Sequence, residues 1–501
     1  MPGAAARRPL DQRHHRAGAT DPPALATTGA RRKPITGLAT WLLLIGLLIS
    51  LMNTACAELP ARAPAGPPPL PSAVARELTL SGPAGPVAAT AEARTLAAVK
   101  AEGRADLLQH QLNALAAQGA ATLYRGNTAR LLVDGPATFA AMQQAINQAK
   151  HRILLESYIF EDRGIAADIA ALLVAKARSG VRVALLYDSV GSYGTDTAFF
   201  EAMAAGGVSL CAFNPLSPLQ RLGTWGLNHR DHRKLLVVDS EAAFTGGINI
   251  SQVYSAGSFG RRNRPADPLV SGWRDTQVAL RGPVVGALAD NFGGIWRSQL
   301  CPDTLGPGPA PAPAVASPGQ RVVQVLTSGP DEGPNRIYRS LLSAIDASRR
   351  SVYLTMAYFA PGAEMVQALC DAARRGVDVV LVLPGRSDLA LILHAGRANY
   401  DQLLAAGVKL HELQHALLHA KTAVIDGVYS TVGSSNLDWR SLADNSELNV
   451  VVLGDDFGSE MEALFRRDLA AAQPIDPQVW QQRGWRDRAL QRLGRWAERW
   501  L

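Results

Sequence analysis

Two short segments of this chain of 501 residues match in chemistry and in spacing: H-R-K-L-L-V-V-D from His232 to Asp239, and H-A-K-T-A-V-I-D from His419 to Asp426. Each is followed, after six more residues, by a small-residue turn that ends in Asn, Gly246 to Asn249 and Gly433 to Asn436. The surrounding elements repeat in the same order. In the first half a strand-like run at Arg130–Gly135 leads to a helix, a strand at 153–160, a helix, and a strand at 181–188. The second half runs from Val322 through a helix, a strand at 352–359, a helix, and a strand at 377–384. A repeat of this kind requires an internally duplicated α/β body, each half a mostly β-sheet core flanked by helices.

The chemistry of the motif follows from strand geometry. Residues two apart on a strand share a face, so His232 with Lys234, and His419 with Lys421, project together. One half offers one imidazole and one ammonium; two halves offer two of each. That set suits transfer of a phosphodiester. One imidazole attacks phosphorus, and the other protonates the leaving alkoxide and then deprotonates the acceptor. Lys234 and Lys421, with Asn249 and Asn436, can hold the non-bridging oxygens. The lysines supply the positive charge, so the chemistry calls for no metal and no other cofactor. Each His needs an acid on its other nitrogen. Asp275, in W-R-D-T, is the candidate in the first half, and Glu447, in N-S-E-L, the candidate in the second. Asp239 and Asp426 complete the catalytic motifs and read as organisers of the turn after the motif strand, without a part in proton transfer. A single H-x-K with a later Asp arises easily by chance; two copies with the same tail do not. His229, His411 and His415 lack the pattern and read as loop or supporting residues.

Formal charge of +7 favours anionic partners but does not separate nucleic acid from anionic lipid. The four cysteines show no metal spacing and no disulfide framework, and Cys211 and Cys370, in apolar surroundings, read as buried thiols. Residues 1–34 form a basic tail rich in Ala, Pro and Arg, expected to be disordered. No charged residue occurs from Ile35 to Ala57, so 35–55 is a candidate transmembrane helix. The arginines and lysine before it would keep the amino end in the cytoplasm, with the catalytic body on the periplasmic or outer face of a bacterial inner membrane. A cleaved signal, a lipid-modified Cys56 and a segment folded on the body are the alternatives. Residues 56–88 read as a Pro/Ala-rich linker, a spacer, and helix-forming residues recur from Ala89 to Ala120.

The motifs resemble those of the phospholipase D superfamily, whose HxKxxxxD signature occurs here twice. The resemblance covers about residues 120 to 501 and is greatest to the bacterial cardiolipin synthases, through N-H-R-D-H-R-K-L-L-V-V-D with A-F-T-G-G-I-N-I, and L-H-A-K-T-A-V-I-D with V-G-S-S-N-L-D-W-R-S and N-x-E. E-S-Y-I-F and W-R-D-T also fit. The resemblance implies two phospholipase D-type domains, at 89–300 and 320–475, joined by a Pro-rich linker at 301–319. It implies transfer of a phosphatidyl group from one phosphatidylglycerol to another with release of glycerol; a hydrolytic phospholipase D and, after it, a phosphodiesterase nuclease are the alternatives. Some relatives take phosphatidylethanolamine as donor. It also implies His232 as nucleophile and His419 as general acid/base. Oligomeric state is not readable, since duplication already supplies both half-sites.

The flanks favour lipid over nucleic acid. In the tail, 476–501, Trp485, Ala489, Leu493, Trp496 and Trp500 fall on one helical face with five arginines around it. Such a face suits an anionic phospholipid membrane surface, or else docks on the body. No nucleic acid partner is expected. The stretch Ser258 to Arg264 suits either lipid phosphate or a solvated active-site loop.

Overall fold

The computed structural model describes residues 78–82, 85–86, 104–116, 121–215, 228–259, 272–303, 305 and 319–500. The strands are β1 (Leu78–Gly82), β2 (Gly85–Pro86), β3 (Ala121–Val133), β4 (Arg152–Ser157), β5 (Arg182–Asp188), β6 (Ser209–Phe213), β7 (Lys234–Val238), β8 (Ala242–Gly246) and β9 (Thr276–Arg281), then β10 (Arg321–Ser328), β11 (Ser351–Met356), β12 (Asp378–Pro384), β13 (Lys409–Leu413), β14 (Lys421–Ile425), β15 (Tyr429–Gly433), β16 (Glu447–Leu453) and β17 (Ala472–Pro474). The helices are α1 (Ala105–Ala116), α2 (Asp134–Gln148), α3 (Ile165–Arg178), α4 (Thr197–Ala205), α5 (Val284–Ser298), α6 (Arg336–Ala347), α7 (Gly362–Arg374), α8 (Ala390–Arg397), α9 (Tyr400–Ala405), α10 (Asp455–Ala471), α11 (Pro477–Gln481) and α12 (Trp485–Ala497).

The duplication is carried into the sheets. The first half orders its strands β6-β5-β4-β7-β8-β9-β3. The second orders them β13-β12-β11-β14-β15-β16-β10. In both, three parallel strands continue into antiparallel ones, and the motif strand (β7 or β14) stands at the change of direction. The motif strands are buried along their whole length, as expected for Leu-Leu-Val-Val and Thr-Ala-Val-Ile covered on both faces. Helices α2, α3 and α4 cover one face of the first sheet, and α6, α7 and α9 one face of the second. On the other faces α5 and α10 join the core, where Leu235, Val237, Leu288 and Phe292 of the first half pack with Val323, Val424, Val432 and Val450 of the second.

The strand β3 belongs to both sheets. Its later residues pair with β9, and its earlier ones pair with β10 and β1. The segment ahead of it therefore packs with the second half: Leu80, Leu108, Leu112 and Leu115 are buried among α6 and α7 residues such as Leu341, Ile345 and Leu369. Thus β1 lies inside the stretch read as a spacer. Its Leu-Thr-Leu alternation buries Leu80, a signal too short to stand out from Pro and Ala on either side.

Two expectations are overturned. Among the described residues no helix is long and apolar enough to cross a membrane. The longest of them, α10, has 17 residues and carries acids at both ends, where a span needs about 20 apolar residues. The membrane-spanning helix, and the inner-membrane topology built on it, therefore have no counterpart in the described structure; residues 35–55 lie outside it, as do 1–34 and most of the Pro-rich linker. The second correction concerns cysteine. Cys211, at the centre of β6, is bonded to Cys301, just beyond α5, while Cys370 is the buried thiol expected. The bond ties the outer strand of the first sheet to the helix crossing behind it, a closeness that 90 residues of separation conceal. Replacing Cys301 by Ser is expected to cost up to about 4 kcal/mol through loss of a long-loop constraint on the unfolded chain. The check is the denaturant midpoint of both forms without reductant.

Candidate active site

Both motif histidines stand two residues ahead of their strands, β7 and β14, and both are tied to the opposite half. The His232 N–H donates to Ser446 O at 2.9 Å, and the Ser446 N–H to Arg230 O at 2.9 Å. In the mirror position the His419 N–H donates to Arg274 O at 2.8 Å, and the Arg274 N–H to Leu417 O at 2.9 Å. The residue after each tether is an acid. Glu447 accepts from His232 Nδ1 with its two oxygens at 2.9 and 3.0 Å. Asp275 Oδ2 lies 2.7 Å from His419 Nδ1. Both acids expected from the sequence are thus present, but the pairing is crossed: each histidine is oriented from the other half. The cause is the packing of the two sheets on one core, which sets Asp231 beside Ser446 and Arg274 beside Leu418 as short parallel bridges between the halves. A carboxylate on Nδ1 leaves Nε2 as the nitrogen each ring can offer to a ligand.

The small-residue turns serve the acids. A Cβ on Gly247 would lie 2.1 Å from Asp275 Oδ1, so only glycine admits the carboxylate there. At the matching position Ser434 donates to Glu447 Oε2 at 2.5 Å. Arg274 is held by Asp468 through Nε and Nη2 at 2.6 and 2.7 Å, which braces the backbone in front of Asp275. Arg233, pointing away from His232 and Lys234, is buried against Asp231 and Glu156 at 2.9 and 3.2 Å.

The lysines come back over their own histidines. Lys234 Nζ donates to His232 O and Lys421 Nζ to His419 O, each at 2.5 Å. Asn249 accepts from the Ile159 N–H at 3.2 Å and donates to the Tyr254 hydroxyl at 3.3 Å. Asn436 Oδ1 is buried and makes no hydrogen bond among the described residues. Asp239 and Asp426 sit at the far ends of their strands, about 16 Å from the motif lysines at 3.3 Å per residue. Asp239 accepts from the N–H groups of Lys150, His151 and Arg152 at 2.8–3.0 Å. Asp426 accepts from those of Arg349, Arg350 and Ser351 at 2.7–3.2 Å. Each carboxylate therefore pins the turn that enters β4 or β11.

Four aromatic residues at the site escaped sequence reasoning. Tyr158 meets the His232 ring edge-on at 5.1 Å, and Tyr358 meets that of His419 at 6.2 Å. Lys234 and Lys421 lie 5.2 and 6.0 Å from the same two tyrosine rings. Tyr254, fully buried, brings its hydroxyl to 3.1 Å from His419 Nδ1. Trp273 lies 5.3 Å from that ring. The available signal was S-Y-I-F and M-A-Y-F at the ends of matched strands. His229 supports the tether by its 2.9 Å contact with Ser446 Oγ; His411 and His415 lie away from the paired histidines, on β13 and beside Phe259.

Burial dominates the electrostatics. Desolvation holds the His232 imidazole well below its ordinary value, and the two lysines lower it further. The His419 imidazole is lowered by burial and by Lys421, against Asp275, which raises it. Lys234 is brought down to about 7 and Lys421 to about 8, again by burial first. Burial lifts Glu447 to about 7. A buried group of six, with two imidazoles, two ammoniums and two carboxylates, is thus poised to gain an anion. A bound phosphodiester would restore the lysine charges that burial weakens.

Fold and site together define a phospholipase D-type enzyme. Comparison with known proteins agrees: residues 142–259 and 341–469 match the family model described as "Cardiolipin synthase, PLD-like domain". The cardiolipin synthase of Geobacillus thermodenitrificans is 34% identical over 365 residues, 73% of this chain and 70% of that one. Cardiolipin synthase A of Pseudomonas aeruginosa is 34% identical over 370 residues, covering 73% and 72%. Among solved structures, a phosphatidylserine synthase from Haemophilus influenzae superposes with a TM-score of 0.54 at 12% identity, covering 74% of this chain and 95% of that one, a likeness of fold. The chain belongs to the cardiolipin synthase family of phospholipase D-like proteins.

Two outcomes are expected. Asp275→Asn and Glu447→Gln should each lower kcat by about 100-fold or more, with KM little changed, because each frees one imidazole to take the wrong tautomer; steady-state turnover of each variant checks this. The second concerns pH. A lysine whose value is depressed loses its proton earlier as pH rises, so kcat/KM should fall through about pH 7–8 as Lys234 and then Lys421 become neutral. On the acid side it should fall only below the ordinary histidine value, where the His232 imidazole takes up a proton. A kcat/KM profile flat to about pH 9 would exclude the lysine assignment.

Proposed function

We propose that the enzyme makes cardiolipin from two phosphatidylglycerols. His232 Nε2 attacks phosphorus of the first lipid while His419 gives its proton to the departing glycerol oxygen. The phosphatidyl group is then held on His232 through a P–N bond. A free glycerol hydroxyl of a second phosphatidylglycerol, deprotonated by His419, attacks the same phosphorus; the P–N bond breaks and cardiolipin leaves. Lys234, Lys421, Asn249 and Asn436 carry the non-bridging oxygens as negative charge moves between them. The observation that carries this reading is the pair of buried histidines, each with Nδ1 held by an acid of the opposite half. The choice of lipid rests on relatives that bear the name cardiolipin synthase.

The test is incubation of the purified protein with labelled phosphatidylglycerol in mixed micelles, with lipid and water-soluble products resolved. Cardiolipin and free glycerol in equal amounts are expected, and both should vanish in His232→Ala and in His419→Ala. Phosphatidic acid as the main product would mean that water is the acceptor. Turnover only with phosphatidylethanolamine present would change the donor, and cleavage of nucleic acid alone would sink the lipid reading. Assignment of His232 as the nucleophile predicts a denatured, acid-labile phosphatidyl adduct on a peptide containing His232.

A further inference from the structure

The carboxyl-terminal helix is docked on the body, yet its docked face is not its aromatic face. Gly494 packs so closely on α8 that a Cβ there would lie 2.4 Å from Ala395 N. Gln491 and Ala497 are buried on the same side. Glu498 is turned inward to accept from the Gly362 N–H at 3.1 Å, and Arg495 donates to Ala398 O and Asn399 Oδ1 at 2.8 and 2.9 Å. The opposite side stands in solvent: Trp485 is 75% exposed, Leu493 50%, Trp496 65% and Trp500 42%. Six of the nine exposed large apolar side chains among the described residues fall between Val479 and Trp500.

The charge beside this face is mostly positive, with Asp487 the one acid of α12 itself. Arg486, Arg488, Arg492, Arg495 and Arg499 are all exposed. Between α12 and α9 lies a cleft of about 820 Å³ lined by Arg483, Arg488, Arg492 and Arg495, whose one carboxylate, Asp401, already pairs with Arg483 at 2.6 Å. Exposed tryptophans bordered by arginines match the two layers of an anionic bilayer surface, with acyl chains and glycerol backbone for the rings and phosphates for the guanidiniums. The position matters as well. Arg499 lies over the Trp439 ring at 5.4 Å, three residues beyond Asn436. Gly362, bonded to Glu498, follows the loop that carries Tyr358, whose hydroxyl donates to Asp388 at 2.7 Å. Leu389, next to Asp388 and leading into α8, is itself exposed.

We infer that α12 and its last turn form an interfacial docking surface for an anionic phospholipid bilayer, lying in the headgroup layer rather than crossing it. Trp485, Leu493, Trp496 and Trp500 enter the surface, Arg488, Arg492 and Arg495 take lipid phosphates, and the contacts at Trp439 and Gly362 hold the second-half loops of the active site against the same plane. The docking itself does not depend on the reaction; only its activity readout rests on the lipid-transfer reading above.

The test uses the full chain and vesicles of phosphatidylcholine containing roughly one third phosphatidylglycerol, with lipids brominated near the headgroup end of the acyl chain. Tryptophan emission should be quenched by these vesicles, and most of that quenching should be lost in the triple variant Trp485→Ser, Trp496→Ser, Trp500→Ser. The same variant should lose about tenfold or more of turnover on vesicles, yet stay within about twofold of the parent on short-chain phosphatidylglycerol dispersed below its micelle concentration. The variant Arg488→Gln, Arg492→Gln, Arg495→Gln should lose the preference for anionic over purely zwitterionic vesicles. Unchanged quenching in the tryptophan variant would overturn the inference, as would equal quenching of the parent by pure phosphatidylcholine. An equal fall of turnover on dispersed and vesicle substrate would mean that the face supports the body and does not dock. Retained quenching differences with no turnover in either protein would sink the lipid-transfer reading and leave the docking surface standing.

Discussion

The hydrogen bonds from His232 to Glu447 and from His419 to Asp275 are the contacts on which the rest of the structure depends. Each crosses between halves, so neither half holds a finished catalytic histidine by itself. Leaving one partner of such a buried hydrogen bond unsatisfied costs about 1–3 kcal/mol. The surrounding architecture spares the site that cost. Backbone tethers set the two chains side by side, small residues make room for the carboxylates, and Arg274 and Arg233 are anchored behind. The meeting of the two sheets in one aliphatic core is what brings the tethers within reach.

Burial has a second consequence for chemistry. On the proposed reading a phosphodiester's charge would be met where water is scarce, by lysines that the same scarcity holds near neutrality. Substrate and site therefore complete each other's electrostatics. A phosphodiester bound there would form ion pairs with both lysines in a medium of low dielectric. The same desolvation holds the His232 imidazole well below its ordinary value.

Much of this was legible in the chain, and the limits have a physical cause. The paired motifs could be read because their chemistry is local: two residues on a strand share a face wherever the strand lies. The roles of Asp239 and Asp426 as turn organisers could also be expected, since both close a five-residue strand. The partner of each histidine could not, because those contacts join residues 215 and 144 apart, and nothing in either segment records which half faces which. The Cys211–Cys301 bond was hidden for the same reason. The tail helix was legible through its period of tryptophans, but the burial of Gly494, Gln491 and Ala497 on the reverse side depends on α8, whose approach no periodicity encodes.

The strand β3 has a consequence for how the molecule is made. It enters from residues that lie in the second half's core and leaves into the first half's sheet. The earliest described part of the polypeptide thus waits for some of the latest before its apolar side chains are covered. Such distant pairing delays closure of the core. It also means that severing the chain at the Pro-rich join would not release two self-sufficient bodies: the later piece would lack its outermost strands and the helix over them, and the earlier piece would carry those elements with nothing to cover.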